Sequence, residues 1–206
     1  MYREDKTATG VSLKRISDPV PIDCNLRSQF GGAPYFEKGE QWPVTKNKIP
    51  LDFVFQVFNE NGVHLPECVK LVQFYYGFGD AFSEMGYDDD ERWLVKVYEH
   101  LNKDDAIIIK NPNEELNVHY CEVEYSDVES VPDDDKEGES SYPIHTQLGG
   151  YAQWIWSNCE PEDVDSFLLF QLDSEDEAGL MWYDSGMVYV HYNLNTKKSE
   201  LIMQYY

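Results

Sequence analysis

The sequence predicts an α+β protein that is predominantly β: internally duplicated antiparallel sheets packed about a pseudo-two-fold, with a few short helices. Three observations carry this prediction. Near-identical tetrapeptides, Gln29-Phe30-Gly31-Gly32 and Gln147-Leu148-Gly149-Gly150, stand far apart in a chain of 206 residues. The segments after each tetrapeptide repeat at matching spacing. Gln56 to Phe74 is eighteen residues and so is Gln171 to Tyr189, while Gly32 to Gln56 is twenty-four against twenty-one from Gly150 to Gln171. Aromatics make up 15% of the chain, a composition that suits pleated, half-buried surfaces better than helices. Landmarks in one order at near-equal spacing read as duplication, with pseudo-repeats over 28–77 and 145–206 inside a single domain.

Each element has a local reason. The Gly-Gly pairs permit positive φ and close backbone approach, so they predict tight corners or bulges. "FVFQVF" (53–58), "LVQFYYG" (71–77), "LLFQLD" (168–173) and "GMVYVHY" (186–192) are apolar runs of strand length. Gln56 and Gln171 interrupt two of these runs, and a buried amide must find partners for its donors and acceptor. The expected partners are backbone groups of a neighbouring strand, across the pseudo-symmetry axis. Between the repeats, "RWLVKVYEHL" (92–101) reads as a strand through Tyr98 or else as a short helix, and "AIIIK" (106–110) and "LNVHYCEVEY" (116–125) read as strands. The stretch 126–142 has no periodicity and many acids, and reads as an acidic mobile loop. "EPEDVD" (160–165) opens with acids and a Pro and predicts a short helix before the next strand.

At "FGGAPYFEKGEQWP" (30–43) the chain resembles the YwqG-like bacterial proteins, through Gly-Gly, Pro34 and Trp42-Pro43. The resemblance continues in "FVFQV", "LVQFYYG", "LGGYAQWIW", "LLFQLDSED" and "MWYDSGMVYV", covering roughly 28–77 and 145–206. One departure is Ala152, where the family pattern has Pro after Gly-Gly-Tyr. The resemblance implies a compact, mostly β fold with a repeated core. It carries no catalytic residues across, and it implies a binding or toxin-immunity role.

The net charge is −23, unevenly spread. Residues 1–79 hold nine acids and nine bases, 80–142 hold twenty and five, and 143–206 hold ten and two. Such a field repels phosphate backbones, so no nucleic-acid partner is expected, whereas a basic protein would be attracted. No apolar run reaches the roughly 20 residues of a membrane-spanning helix, and no signal-peptide pattern opens the chain, so a cytoplasmic protein with no membrane partner is expected. The four cysteines lie far apart with no CxxC, which predicts reduced thiols.

The search for chemistry yields little. The five histidines form no paired motif, with His145 the best placed as a base, and Asp184-Ser185-Gly186 reads as a turn rather than a nucleophile elbow. Asp173, Glu175, Glu177 and Asp184 fall at calcium-loop positions, but Ala178 stands where that loop needs Gly. The expectation is therefore a non-enzymatic, acidic protein-binding module without cofactor. Asp80, Glu84 and Tyr87 supply its face, with a basic partner and toxin immunity as one form of the role. The alternative is a small-molecule or metal site between the repeats, lined by Gln56, Gln171, Trp154 and Trp182.

Overall fold

In the computed structural model, residues 7–16, 24–60, 62–113, 117–130, 145–156 and 159–205 are described. Among the described residues strands predominate and helix is confined to three-residue turns, so the chain is predominantly β. The strands are β1 (Thr7–Arg15), β2 (Gln29–Phe30), β3 (Phe36–Glu37), β4 (Asp52–Phe58), β5 (Leu71–Tyr76) and β6 (Trp93–Tyr98). They continue with β7 (Ala106–Ile107), β8 (Cys121–Glu129), β9 (Gln147–Leu148), β10 (Phe167–Asp173), β11 (Met187–Tyr192) and β12 (Ser199–Gln204). Ten of them form one nearly closed antiparallel sheet. At its centre β1 and β8 pair over nine residues; outward follow β2, β4, β5, β6 on one side and β9, β10, β11, β12 on the other. β3 and β7 make a separate two-stranded ribbon.

The curled sheet has an inner and an outer face. Inward side chains alternate along the strands and meet in one core, where Phe170 touches Phe55 at 4.9 Å and Phe74 at 5.3 Å between ring centroids. Trp182, Tyr76 and Val188 join the same core. The outer face is covered by chain rather than left to water. Tyr35, Phe36 and Trp42 lie over β4 and β5, and Ala152, Trp154 and Ile155 lie over β10 and β11. This is why β4, β5, β10 and β11 read as continuous apolar runs and not as alternating ones.

The four strongest strand readings hold to within a residue or two at each end. Other readings need correction. "AIIIK" keeps only two residues as β7, because its partner is the two-residue β3. β8 begins later than expected, at Cys121, and runs to Glu129, into the stretch read as a loop, because β1 offers a nine-residue partner. Residues 131–142 of that stretch lie outside the described residues. The helix expected near Pro161 is a turn, in which Asp163 accepts the Asp165 and Ser166 amides. The chain enters β10 at Phe167, one residue beyond this turn, so the helix does not continue. β1 and β12 went unread.

Candidate functional site: an acidic aromatic ladder

The two Gly-Gly corners share a set of corresponding hydrogen bonds. Gln29 donates from Nε2 to the carbonyls of Gly31 (3.1 Å) and Ala33 (2.9 Å), and Gln147 donates to Gly149 (3.0 Å) and Tyr151 (3.0 Å). Gln56 Oε1 accepts the Tyr35 N–H at 2.7 Å, and Gln171 Oε1 accepts the Gln153 N–H at 2.8 Å. Gln56 Nε2 donates to Asn25 O and Arg27 O, and Gln171 Nε2 donates to His145 O. Register agrees too, with Gln29 opposite Gln56, Gln147 opposite Gln171, and an irregularity at 53–55 and again at 168–170. Gly31 and Gly149 have φ of 57° and 66°. A Cβ would meet the His119 carbonyl oxygen at 2.7 Å in the first corner and the His64 carbonyl oxygen at 2.4 Å in the second. The amides therefore brace loops within their own half, and not, as expected, a strand across an axis.

This bears on the residues expected to line a junctional pocket. Gln56 also accepts from Gln73 Nε2 at 3.1 Å, so its buried amide is fully engaged. Trp182 is an inner-core residue against Phe74, Tyr76 and Phe78. Trp154 lies on the outer face, over Tyr189 at 4.4 Å and parallel to His191 at 6.0 Å. The two tryptophans thus stand on opposite faces of the sheet, and the four residues do not share one cavity wall.

The calcium-loop positions do not converge either. Asp173 accepts its neighbour's N–H from Ser174, and Glu175 accepts the Thr146 hydroxyl. Burial raises both carboxyls above their usual range, which disfavours the charge a cation needs. Glu177 and Asp184 are exposed. Among the described residues, no three His, Cys, Asp or Glu side chains are placed to hold a metal ion. His145 serves through its carbonyl, and Ser185 sits in a turn at φ 53°. Cys68, Cys121 and Cys159 are free thiols.

The feature that takes in a predicted binding residue, Tyr87, is a row of exposed aromatic rings. Tyr87 meets Tyr183 edge to face at 5.1 Å, and Tyr183 meets Tyr205 at 4.4 Å. These rings are 42%, 52% and 46% exposed, and Met181 beside Tyr183 in sequence is 54% exposed. Single exposed apolar residues are ordinary; a contiguous run is not. Trp156 extends it, donating from Nε1 to Tyr205 O at 2.7 Å.

Buried groups fix the ladder in place. The Tyr76 hydroxyl donates to Tyr87 O at 2.8 Å, and burial pushes that phenol above its usual range. Arg92, itself buried, lies 4.8 Å from the Tyr87 ring centroid and 5.2 Å from that of Tyr76. It donates to the carbonyls of Gly77 (2.9 Å) and Met85 (3.1 Å), so it braces the whole 77–92 loop under Tyr87. On the other side, Trp182 donates from Nε1 to Asp173 O (3.0 Å), and Gly186 N–H closes the turn onto Trp182 O (2.6 Å). Tyr183 is thereby held at φ 53°, uncommon for a residue with a side chain. Because Tyr76 also packs against Trp182 at 5.1 Å, the loops from the two parts of the chain are locked together under the ladder.

Exposed carboxylates neighbour its residues along the chain. Asp80, Glu84, Asp88, Asp89 and Asp90 are exposed on the Tyr87 loop, and Asp184 follows Tyr183. Among the described residues, Glu91 is the acid of this group with a cationic partner, Lys46 at 2.7 Å. Of the predicted face, Asp80, Glu84 and Tyr87 are on one loop as expected; Tyr183, Tyr205, Met181, Trp156 and Arg92 were missed. The isolated Asp184-Ser185-Gly186 turn signal could have flagged Tyr183 as exposed, but its meeting with Tyr87 is tertiary.

A separate titratable group lies on the outer face. Lys96 bonds Glu40 (2.6 Å) and Tyr98 (2.6 Å) above the Phe36 ring. Burial holds this ammonium below its usual range, and the cluster ties the 33–51 covering segment to β6.

No curated protein matches the chain. Residues 28–196 match the family described as a domain of unknown function, DUF1963, and that match spans most of the chain. The protein is therefore a member of the DUF1963 family.

Proposed function

We propose that the protein is a non-enzymatic binding module whose acidic aromatic ladder recognises a basic protein partner. One observation carries the reading: Tyr87, Tyr183 and Tyr205 form a fixed, exposed row, with exposed Asp88 next to Tyr87 and exposed Asp184 next to Tyr183 along the chain. Aromatic anchors in a rigid setting are what binding hot spots are made of, and the surrounding charge speeds and orients encounter with a cation-bearing surface. Nucleic acid and membrane surfaces, both anionic, are disfavoured by the same charge.

The finer family reading is a YwqG-like protein of the cytoplasm, and immunity against a basic toxin domain is one form of the role. The architecture is read as a duplication, with 28–77 and 145–206 related by a pseudo-two-fold that exchanges β1 and β8. Its support is the matched hydrogen bonds of the two corners and the matched strand order outward from the centre. In this reading Tyr183 and Tyr205 of the ladder come from the second copy, and Tyr87 comes from the segment that follows the first.

The test measures affinity for an arginine-rich peptide by fluorescence anisotropy. Tyr183→Ser and Tyr87→Ser, which leave net charge unchanged, are expected to weaken binding at least tenfold. Glu122→Gln with Glu124→Gln, on β8, is expected to change it less than twofold. Equal losses in both sets would reduce the interaction to bulk acidity and overturn the reading.

A further inference from the structure

The sheet is nearly closed, and among the described strands its two end members are β6 and β12. Those edges face each other. Glu99, just after β6, bonds Lys197, just before β12, while Tyr205 after β12 reaches Tyr87 before β6 through Tyr183. The direction of the unpaired backbone groups follows from the ladder. Gly77 N–H bonds Arg92 O, and the register pairs Tyr75 with Leu94 and Gln73 with Lys96. Alternation in an antiparallel pair then turns Leu94 and Lys96 towards β5, and the N–H and C=O of Trp93, Val95 and Val97 towards the open edge.

The side chains of those same three residues face the inner core, yet they stay half-exposed. Their neighbours Val72, Phe74 and Tyr76 on β5 are at most 1% exposed. In addition, Trp93 Nε1 is buried without a hydrogen-bond partner among the described residues. Core side chains left half-wet, a row of outward amides and an unmet donor all lie on one strand. Edges of this kind accept an added strand.

We propose that an extended segment of the basic partner adds to the β6 edge as a further strand. This deepens the reading of the ladder as a docking surface and rests on it. The occupant's charge is set by position, because exposed Asp88, Asp89 and Asp90 stand just before β6, and Tyr87 stands beside them. The segment therefore places arginine or lysine against these carboxylates and rings, and alternating apolar side chains against Val95 and Val97.

The probe is the full chain extended after Tyr206 by a linker of about twenty Gly and Ser residues and the strand Arg-Arg-Thr-Val-Thr-Val-Thr-Val. Such a linker spans the distance in either direction and raises the effective concentration to the millimolar range. Amide hydrogen exchange of Trp93, Val95 and Val97 is expected to slow at least tenfold relative to a tether with Pro at each Val. Val95→Pro removes an outward N–H, so it is expected to keep a cooperative melt within a few degrees of the parent while abolishing the protection. Leu94→Pro removes a bond to β5 and is expected to lose the cooperative melt. Unchanged exchange in the tethered chain overturns the proposal, as does equal damage from the two prolines. Protection that grows with concentration in the untethered chain would assign the edge to a second copy and also overturn it. If the arginine-rich peptide keeps its dependence on Tyr183 while exchange is unchanged, the edge reading alone fails; loss of that dependence removes the foundation of both.

Discussion

His191 offers a sharp test of how burial sets this protein's response to acid. Its ring is 6% exposed, lies parallel to Trp154 at 6.0 Å, and has both nitrogens buried without a hydrogen-bond partner among the described residues. Glu200, opposite it on β12, accepts the Glu162 N–H instead. Burial therefore pulls the imidazole from 6.5 down to about 4. Since the folded value lies below the unfolded one, the unfolded chain binds the proton first. The stability is whole above about 6.5 and drains away as pH falls towards 4. At pH 4.5 the linkage amounts to about 2.5 kcal/mol, a large part of the 5–15 kcal/mol typical of a domain. Asp52, Asp173 and Glu175 have carboxyls raised by burial, so they work in the opposite sense, gaining stability as they protonate. They are common to parent and variant and cancel in the difference. His191→Phe keeps an aromatic ring against Trp154 and removes the proton site. Urea unfolding of both proteins at pH 7.5 and 4.5 is expected to show the variant gaining about 2.5 kcal/mol over the parent between the two conditions. Parallel pH profiles would refute the assignment of the imidazole as buried and neutral.

Three further outcomes are expected. Gln56→Leu strips the Tyr35 N–H and two carbonyls of their partners, and Gln171→Leu strips the Gln153 N–H and the His145 carbonyl; each is expected to cost roughly 3 kcal/mol by chemical denaturation, with Gln56 the more severe. Gly31→Ala and Gly149→Ala force a Cβ onto a carbonyl oxygen at positive φ, and each is expected to lose at least about 2 kcal/mol in the same assay. Burial pushes the Cys121 thiol up to about 11, and it donates to Glu177 O, so site-resolved alkylation at pH 8 is expected to label exposed Cys68 and Cys159 well before Cys121.

What the sequence discloses here follows from the range of the forces involved. "FVFQVF", "LVQFYYG", "LLFQLD" and "GMVYVHY" were legible because strands buried on both faces write themselves as short apolar runs, whatever they pair with. The burial of Gln56 and Gln171 was legible for the same reason, since a polar residue within such a run must be satisfied. Their actual partners were not, because Tyr35 and Gln153 arrive by loops whose course no local pattern encodes. β1 was missed because "TATGVSLKR" has a mixed pattern whose partners lie more than a hundred residues away, and its Gly10 packs a Cβ's width from Val128. β8 was misjudged at both ends for the same non-local reason. The ladder was half legible: acids and Tyr87 on one loop are a local signal, whereas Tyr183 and Tyr205 join them only when the sheet curls round.

The most direct measurement on the central claim is a backbone-amide NMR titration with the arginine-rich peptide at physiological salt. Chemical-shift changes are expected to concentrate at Tyr87, Asp88, Tyr183, Asp184 and Tyr205, and Tyr183→Ser is expected to abolish them. Changes spread evenly over the acidic surface, or centred on Glu122 and Glu124 of β8, would contradict it.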